Sequence, residues 1–189
     1  MSRPREFDEE QALSQAQEIF WQHGYEATSL TDLLAAMGLS KSSFYETFGS
    51  KRELFLRSLG RYQDERVAAF RRQLAGGASA RQAIEAMFRV AIGCETHKGC
   101  MACNEAVEMA GRDADVERRV AGVMAALEEI LAGTIARGQD EGSIGTRLPP
   151  ADLARLLMVA LNGLQVEVRA CTERARLERT VGIVMRMID

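Results

Sequence analysis

Proline is close to absent, with three residues in 189, at Pro4, Pro149 and Pro150. Proline removes a backbone donor and clashes with the preceding turn, so its scarcity leaves almost everything between Pro4 and Pro149 free to be helical. Alternating β-branched runs are missing too, which argues against a sheet. Long apolar runs are lacking. The most apolar stretch, LLMVALNGLQVEV from Leu156, is interrupted by Asn162, Gln165 and Glu167, well short of the roughly 20 residues a membrane span needs. The opening MSRPREFDEE is too polar for a signal peptide. The expectation is a soluble cytoplasmic protein with no membrane partner. Two histidines and no βαβ pattern leave no nucleophile–base constellation, so the chain does not read as an enzyme, and no cofactor motif is present. An excess of positive charge is likewise absent. A net charge of −3 argues against indiscriminate nucleic-acid binding, though not against a specific reader with a local basic surface.

What is present is helical punctuation and apolar periodicity, enough in 189 residues with 47% hydrophobic content for one or two domains. A first helix reads from about Asp8 to His23, with Ala12, Leu13, Ala16, Ile19 and Phe20 on one face and Gly24 as its stop. The segment TSLTDLLAAMGLSKSSFYETFGSK, from Thr28 to Lys51, holds two short amphipathic helices around a glycine turn. Leu30, Leu33, Leu34 and Met37 form one stripe at i, i+3, i+4, i+7 spacing, and Gly38 closes it because a residue without Cβ takes a positive φ freely. Ser40 supplies an N-cap oxygen, and Phe44 and Phe48, four apart, anchor the second helix inward. Its other face carries Lys41, Ser42, Ser43, Tyr45, Glu46 and Thr47. Short polar side chains let a backbone approach base edges and cations meet phosphate, which is the division of labour of a recognition helix in a major groove. Arg3 and Arg5 on the N-terminal arm, Lys41, Lys51 and Arg52 are the cations available to such a surface. With so few per subunit, affinity would rest on dimerisation and its salt dependence would be modest.

Further on, Ser50 and Glu53 form a capping box that opens a long helix to about Leu74 with Leu54, Phe55, Leu59 and Tyr62 inward. After Gly76-Gly77, Ser79 with Gln82 opens a helix carrying Ile84, Met87, Phe88, Ala91 and Ile92. Gly99 interrupts it. A short helix follows from about Cys103 to Ala110, and a long one from near Asp113 or Asp115, with a stripe from Val116 to Ile135. Gly138 to Pro150 reads as the clearest loop, ahead of two last helices at about Ala151 to Ala170 and Glu173 to Ile188. The helix from Leu153 to Val168 is apolar on more than one side, and the final helix adds Leu177, Val181, Val184, Met185 and Ile188. One subunit has too few partners to cover all of that, so Leu157, Leu161, Leu164, Val168, Val181, Val184 and Met185 are expected at a homodimer interface. A helix buried within one subunit is the alternative.

One group of residues admits several chemistries. Cys94, His97, Cys100 and Cys103 stand at equal intervals of three around Gly99. A thiophilic metal site would use some of them, but paired C-x-x-C knuckles are absent, and no metal is assigned. A thiol sensor of oxidants or electrophiles needs a low-pKa thiolate with a resolving partner, for which Cys100 and Cys103 are the candidates. Simple packing is the third reading, since free cysteine is often a buried small hydrophobe.

The run from Ala12 to Phe55 closely resembles the N-terminal domain of the TetR family of bacterial transcriptional regulators. The likeness lies in Phe20, Gly24 and Tyr25 closing the first helix, the Thr28-Ser29 start, the Gly-Leu-Ser-Lys turn, and Phe44, Tyr45, Phe48 and Lys51. The resemblance implies an all-α fold of about nine helices. An N-terminal three-helix helix-turn-helix DNA-binding domain, 1–50, would precede a C-terminal ligand-binding and dimerisation domain, 51–189, with the helix 51–74 linking them. It implies that Lys41, Ser42, Ser43, Tyr45 and Thr47 touch bases or phosphates of double-stranded operator DNA, while Thr28, Ser29 and Lys51 position the backbone. It also implies a four-helix dimer bundle of the last two helices and a repressor released from a palindromic operator by a small-molecule effector. Met87, Phe88, Ala91, Met101, Met109, Met124, Leu127, Met158 and Leu161 would line an adaptable pocket for an apolar or amphipathic effector, against the competing reading of ordinary core packing.

Overall fold

A computed structural model describes residues 7–93 and 98–189 and contains, among them, nine α-helices and no strand. They are α1 Glu9–His23, α2 Leu30–Met37, α3 Lys41–Phe48, α4 Lys51–Ala75, α5 Ala80–Ile92, α6 Met101–Met109, α7 Ala114–Asp140, α8 Pro150–Arg169 and α9 Arg174–Arg186. The starts follow from side-chain oxygens that satisfy orphan backbone donors. Asp8, Ser29, Ser40, Ser50, Ser79 and Asp113 are all N-caps whose side chains accept from the first turn. At α2 the cap is reciprocal, with Ser29 and Asp32 forming a capping box, a pairing the Thr28-Ser29 reading did not specify.

Helices α1 to α3 close around Phe20, Leu33, Phe44 and Phe48 and lean on Leu54, Phe55 and Leu59 of α4. That long helix continues into the body, where it packs on α7, α5 and α6, while α7 and α8 lie together and α9 covers α5. One continuous apolar core runs from head to body. The fold is therefore all-α as expected from the missing prolines and strands. Three boundaries differ from expectation, the first being that α5 stops at Ile92 with Gly93 as its C-cap, ahead of Gly99. Helix α6 begins at Met101, with Cys100 as its N-cap, because the chain turns just before it at Gly99, φ +64°. Helix α7 runs through Gly138 to Asp140, since a glycine there leaves space for Ile144 to fold back onto it.

Candidate DNA-reading surface and effector region

The head presents α3 outward on a fixed base. Phe44 and Phe48 are buried with rings 5.9 Å apart, and the Ser40 hydroxyl accepts from the Ser43 N–H at 3.2 Å. It also lies 3.0 and 2.9 Å from the hydroxyls of Ser42 and Ser43, so three serine oxygens cluster at the helix start. Lys41, Ser42 and Tyr45 are exposed, and Ser43 and Thr47 are half-buried. Tyr45 is 47% exposed, its ring edge-on to Phe44 at 5.2 Å rather than beside Phe48, which leaves the phenol free to reach outward. Such a surface offers hydroxyls, one ammonium and one phenol on a rigid helix, the kit for groove contacts.

The flanking residues divide. Ser29 is exposed, its hydroxyl donating to Asp32 at 2.6 Å. Thr28 is 1% exposed and its hydroxyl donates to the Gly24 carbonyl at 2.6 Å, so it braces the α1–α2 corner and cannot itself touch DNA. Lys51 places its ammonium 4.3 Å from the Tyr25 ring centroid. Arg52, expected among the DNA-facing cations, is instead clamped by Asp113 at 2.7 and 2.8 Å and by Asp115 at 2.6 Å. The Arg52 guanidinium holds the Asp113 carboxyl down to about 2. Arg3 and Arg5 lie outside the described residues.

Helix α6 ties this head to the body. The Glu108 carboxylate accepts from the backbone N–H groups of Tyr25 and Glu26 at 3.2 and 2.7 Å. Gly24 makes that reach possible. It sits at φ +84°, and a Cβ there would stand 2.3 Å from Glu108 Oε2. Three residues earlier on α6, Glu105 is completely buried and neither carboxylate oxygen has a hydrogen-bond partner among the described residues. Burial, reinforced by Glu108 and only partly opposed by Arg169, pushes its pKa up to about 8, so it is held as the neutral acid at pH 7. No local signal marked Glu105 as unusual except its i, i+4 spacing between Met101 and Met109, both buried.

Cys100 and Cys103 are both buried, one at the N-cap and the other in the first turn of α6. Tyr62 Oη donates to Cys100 Sγ at 3.5 Å and accepts from the Met101 N–H at 3.2 Å. The Cys103 thiol is within reach of Cys100 and of Asn162 Oδ1, the latter at 3.4 Å. Hydrogen bonding from Cys103, then from Tyr62 and the Cys103 N–H, with Arg66 nearby, lowers the Cys100 thiol against the effect of burial. The same pairing and burial raise Cys103. Cys94 and His97 lie outside the described residues, and among the described ones no group of three or more potential ligands could hold a metal.

The residues expected to line an effector pocket are largely core. Met87, Phe88, Met101, Met109, Leu127, Met158 and Leu161 are buried, and Met124 is half-buried with its sulfur 3.7 Å from Asn162 Nδ2. The buried methionines among them pack at helical spacing within the body. Ala91 alone of the nine borders a cavity of about 290 Å³, which opens between α1, α4, α5 and α8 beside Trp21 and Tyr62. The expected dimer residues need a similar correction. Leu157, Leu161, Leu164, Val168, Val181, Val184 and Met185 all face the protomer's own core. Helix α8 carries two apolar stripes, and the one left outside is Leu156, Val159 and Val166, continued on α9 by Ile183 and Met187. No helix among the described residues is long and apolar enough to cross a membrane.

This architecture has relatives. Residues 12–57 match the profile described as bacterial regulatory proteins, tetR family, and residues 77–184 match that of the tetracyclin repressor-like C-terminal domain. The chain is 30% identical to the uncharacterized HTH-type transcriptional regulator YezE of Bacillus subtilis (strain 168), an alignment covering 100% of both. It is also 30% identical to the HTH-type transcriptional repressor ComR of Escherichia coli (strain K12), over 98% of this chain and 90% of ComR. A cysteine-substituted form of the TetR family regulator CifR, solved with 26-bp double-strand operator DNA, superposes with a TM-score of 0.88 at 27% identity, over 100% of each chain. Profiles that meet the head and the body separately, and relatives that align end to end, agree with the exposed α3 on its buried aromatic base: the chain belongs to the TetR family and is a DNA-binding transcriptional regulator.

Proposed function

We propose that the protein is a homodimeric repressor that leaves a near-palindromic operator when a small molecule binds its body. The observation that carries this reading is the pair of free surfaces. One is the polar face of α3, with Lys41, Ser42, Ser43, Tyr45 and Thr47. The other is the apolar stripe of Leu156, Val159, Val166, Ile183 and Met187, a set of large side chains that a lone protomer would leave in water. Pairing two copies through that stripe sets two recognition helices for successive major grooves, roughly 34–36 Å apart. ComR is named a repressor, and the CifR structure holds operator DNA. Selection of duplexes from a random library by the full chain tests the reading, with an inverted repeat as the expected product. Val159→Glu is expected to yield a 20.8 kDa monomer by light scattering and to lose operator binding. A wild-type monomer at micromolar concentration, or enrichment of single half-sites, overturns it.

A second reading is favoured by the Cys100–Cys103 pair, in which one thiol is lowered and its neighbour keeps the proton. With a hydroperoxide as oxidant, the Cys100 thiolate takes the terminal oxygen to become a sulfenic acid and releases alcohol or water. Cys103 then displaces water to form a disulfide. Such a bond across the first turn of α6 would strain the helix that carries Glu108 to the head. Operator release by peroxide that survives both Cys100→Ser and Cys103→Ser removes this reading.

A further inference from the structure

Helix α6 is strapped to the head at both ends and carries a buried acid between the straps. Just before its first turn, the Gly99 carbonyl accepts from Trp21 Nε1 of α1 at 3.2 Å. Toward its last turn, the Glu108 carboxylate accepts from the Tyr25 and Glu26 N–H groups at 3.2 and 2.7 Å. On its own the helix is marginal, nine residues long, without a side-chain N-cap, and with Val107 87% exposed on its outer side. Glu105 stands one turn before Glu108 and so neighbours it on the helix surface. It is nevertheless completely buried, and both its oxygens lack a hydrogen-bond partner among the described residues. Of the helices packed on α6, α8 brings Arg169, whose guanidinium is already engaged by the Lys98 and Trp21 carbonyls at 3.1 and 3.5 Å. On α4, Tyr62 and Arg66 act on Cys100 and Cys103 instead. Neither α7 nor the exposed Glu26 at the α1–α2 corner brings a charge that acts on Glu105.

We propose that Glu105 is a proton switch on the head: protonated, it lets α6 stay buried with Glu108 latched onto Tyr25 and Glu26, and ionised, it displaces α6 and opens that latch. A buried carboxylate without a cation or donor costs far more than the neutral acid. Where Glu105 stands it gains no partner, because Glu108 repels the new charge and Arg169 is occupied. The proton passes to solvent, and the carboxylate reaches water only if the short helix turns or lifts. That movement withdraws Glu108 too, since the two are one turn apart on the same rod. Burial first and Glu108 second push the Glu105 carboxyl up to about 8 against the pull of Arg169, which sets the change between pH 7 and 9. Below that interval the latch is closed, and above it the latch is open. The effect on DNA rests on the repressor reading; the opening of the latch does not.

The full-length protein, kept reduced so that Cys100 and Cys103 stay unoxidised, is followed from pH 6 to 9 at constant ionic strength. Hydrogen-exchange protection of the Tyr25 and Glu26 amides, corrected for the intrinsic rate at each pH, is expected to fall roughly tenfold between pH 7 and 9. The dissociation constant for the selected inverted-repeat duplex is expected to rise by a similar factor while far-UV helicity holds. Glu105→Gln, neutral at every pH, is expected to keep both readouts within about twofold. Glu108→Ala has no latch to open, so its operator affinity is expected to be low throughout and to lose the slope. The amide titration of the wild-type protein decides the matter even where a variant fails to fold. Unchanged protection across the range, an equal fall in Glu105→Gln, a wild-type slope in Glu108→Ala, or loss of helicity in step with the operator overturns the switch. Amides that titrate through Glu105 while the operator stays bound keep the latch and overturn its coupling to DNA; operator release by a small molecule, with the latch unmoved from pH 6 to 9, overturns the switch and keeps the repressor reading.

Discussion

The head and the seam where it meets the body treat polar groups in opposite ways. In the head the polar side chains at the helix starts and at the α1–α2 corner are partnered. Thr28 donates to Gly24, Ser29 and Asp32 cap each other, and Ser40 accepts from Ser43. In the seam, Gln17 Oε1, Gln63 Nε2, Arg66 Nε and both oxygens of Glu105 are buried without partners among the described residues. Local capping, turn chemistry and core packing all agree in the head, so it behaves as one rigid unit that must hold α3 at a fixed pose. Uncompensated polarity in the seam lowers the cost of changing it, because rearrangement there can recover hydrogen bonds that the resting arrangement forgoes.

The comparison breaks most easily at its base. Phe44 is completely buried with its ring beside those of Tyr45 and Phe48, so Phe44→Ala leaves a cavity in the head core under α3. The expected loss is about 3–5 kcal/mol in denaturant unfolding, the largest of the effects considered. If the loss were under about 1 kcal/mol, the head would not be the tightly packed unit described.

Glu105 sharpens the contrast through pH. Its folded pKa of about 8 exceeds the ordinary 4.5 of a free glutamate. Below 4.5 both folded and unfolded chains carry the proton and the group costs nothing in linkage. Between 4.5 and 8 the unfolded carboxyl ionises while the folded one stays neutral, so stability falls as pH rises, by up to about 1.4 kcal/mol per pH unit. Above 8 the decline stops. Glu105→Gln keeps the shape and removes the titration, so its melting temperature should exceed that of the parent at pH 8 and lose much of the slope between pH 6 and 8. Parallel curves for the two proteins would mean that Glu105 finds a partner.

Ser29→Ala tests the head from the other direction. It removes the half of the α2 capping box in which the Ser29 hydroxyl accepts from the Asp32 N–H and leaves the Asp32 carboxylate on the backbone N–H of position 29, which is expected to cost about 1 kcal/mol. A polar deletion is thus expected to destabilise in the head, whereas in the seam it stabilises at alkaline pH.

How much of this was legible depends on the range over which each feature is determined. Caps are local, and Ser40, Ser50, Ser79 and Asp113 open helices where the sequence placed them. The recognition helix was legible for the same reason, since Phe44, Phe48 and the serines specify its two faces within eight residues. Helix α8 was not, because Leu157 and Leu161 on one stripe and Leu156 and Val159 on the other satisfy the same periodicity, and only packing against α5 and α7 decides which turns inward. The bond from Tyr25 and Glu26 to Glu108 joins residues more than eighty positions apart. Nothing near Glu108 announces it. Arg52 was misassigned for the same reason: its carboxylate partners lie on α7.

The smallest expected change in stability belongs to a residue proposed to touch DNA. Tyr45 is about half exposed and its hydroxyl has no hydrogen-bond partner among the described residues, so truncation removes little buried area. Tyr45→Ala should alter unfolding by no more than about 0.5 kcal/mol, the range of ordinary surface substitutions. Operator affinity should nevertheless fall about tenfold, and by a similar factor on unrelated duplexes, if the phenol meets the phosphate backbone rather than a base. Ser43, half-buried at the start of α3 with its hydroxyl 2.9 Å from that of Ser40, is the proposed base reader, and its substitution should shift base preference instead. Measuring both variants on a selected operator and on scrambled duplexes separates positioning from reading. A Tyr45 variant with unchanged affinity for every duplex would place the DNA-reading face elsewhere on the head, and the rigid base under α3 would then need another purpose.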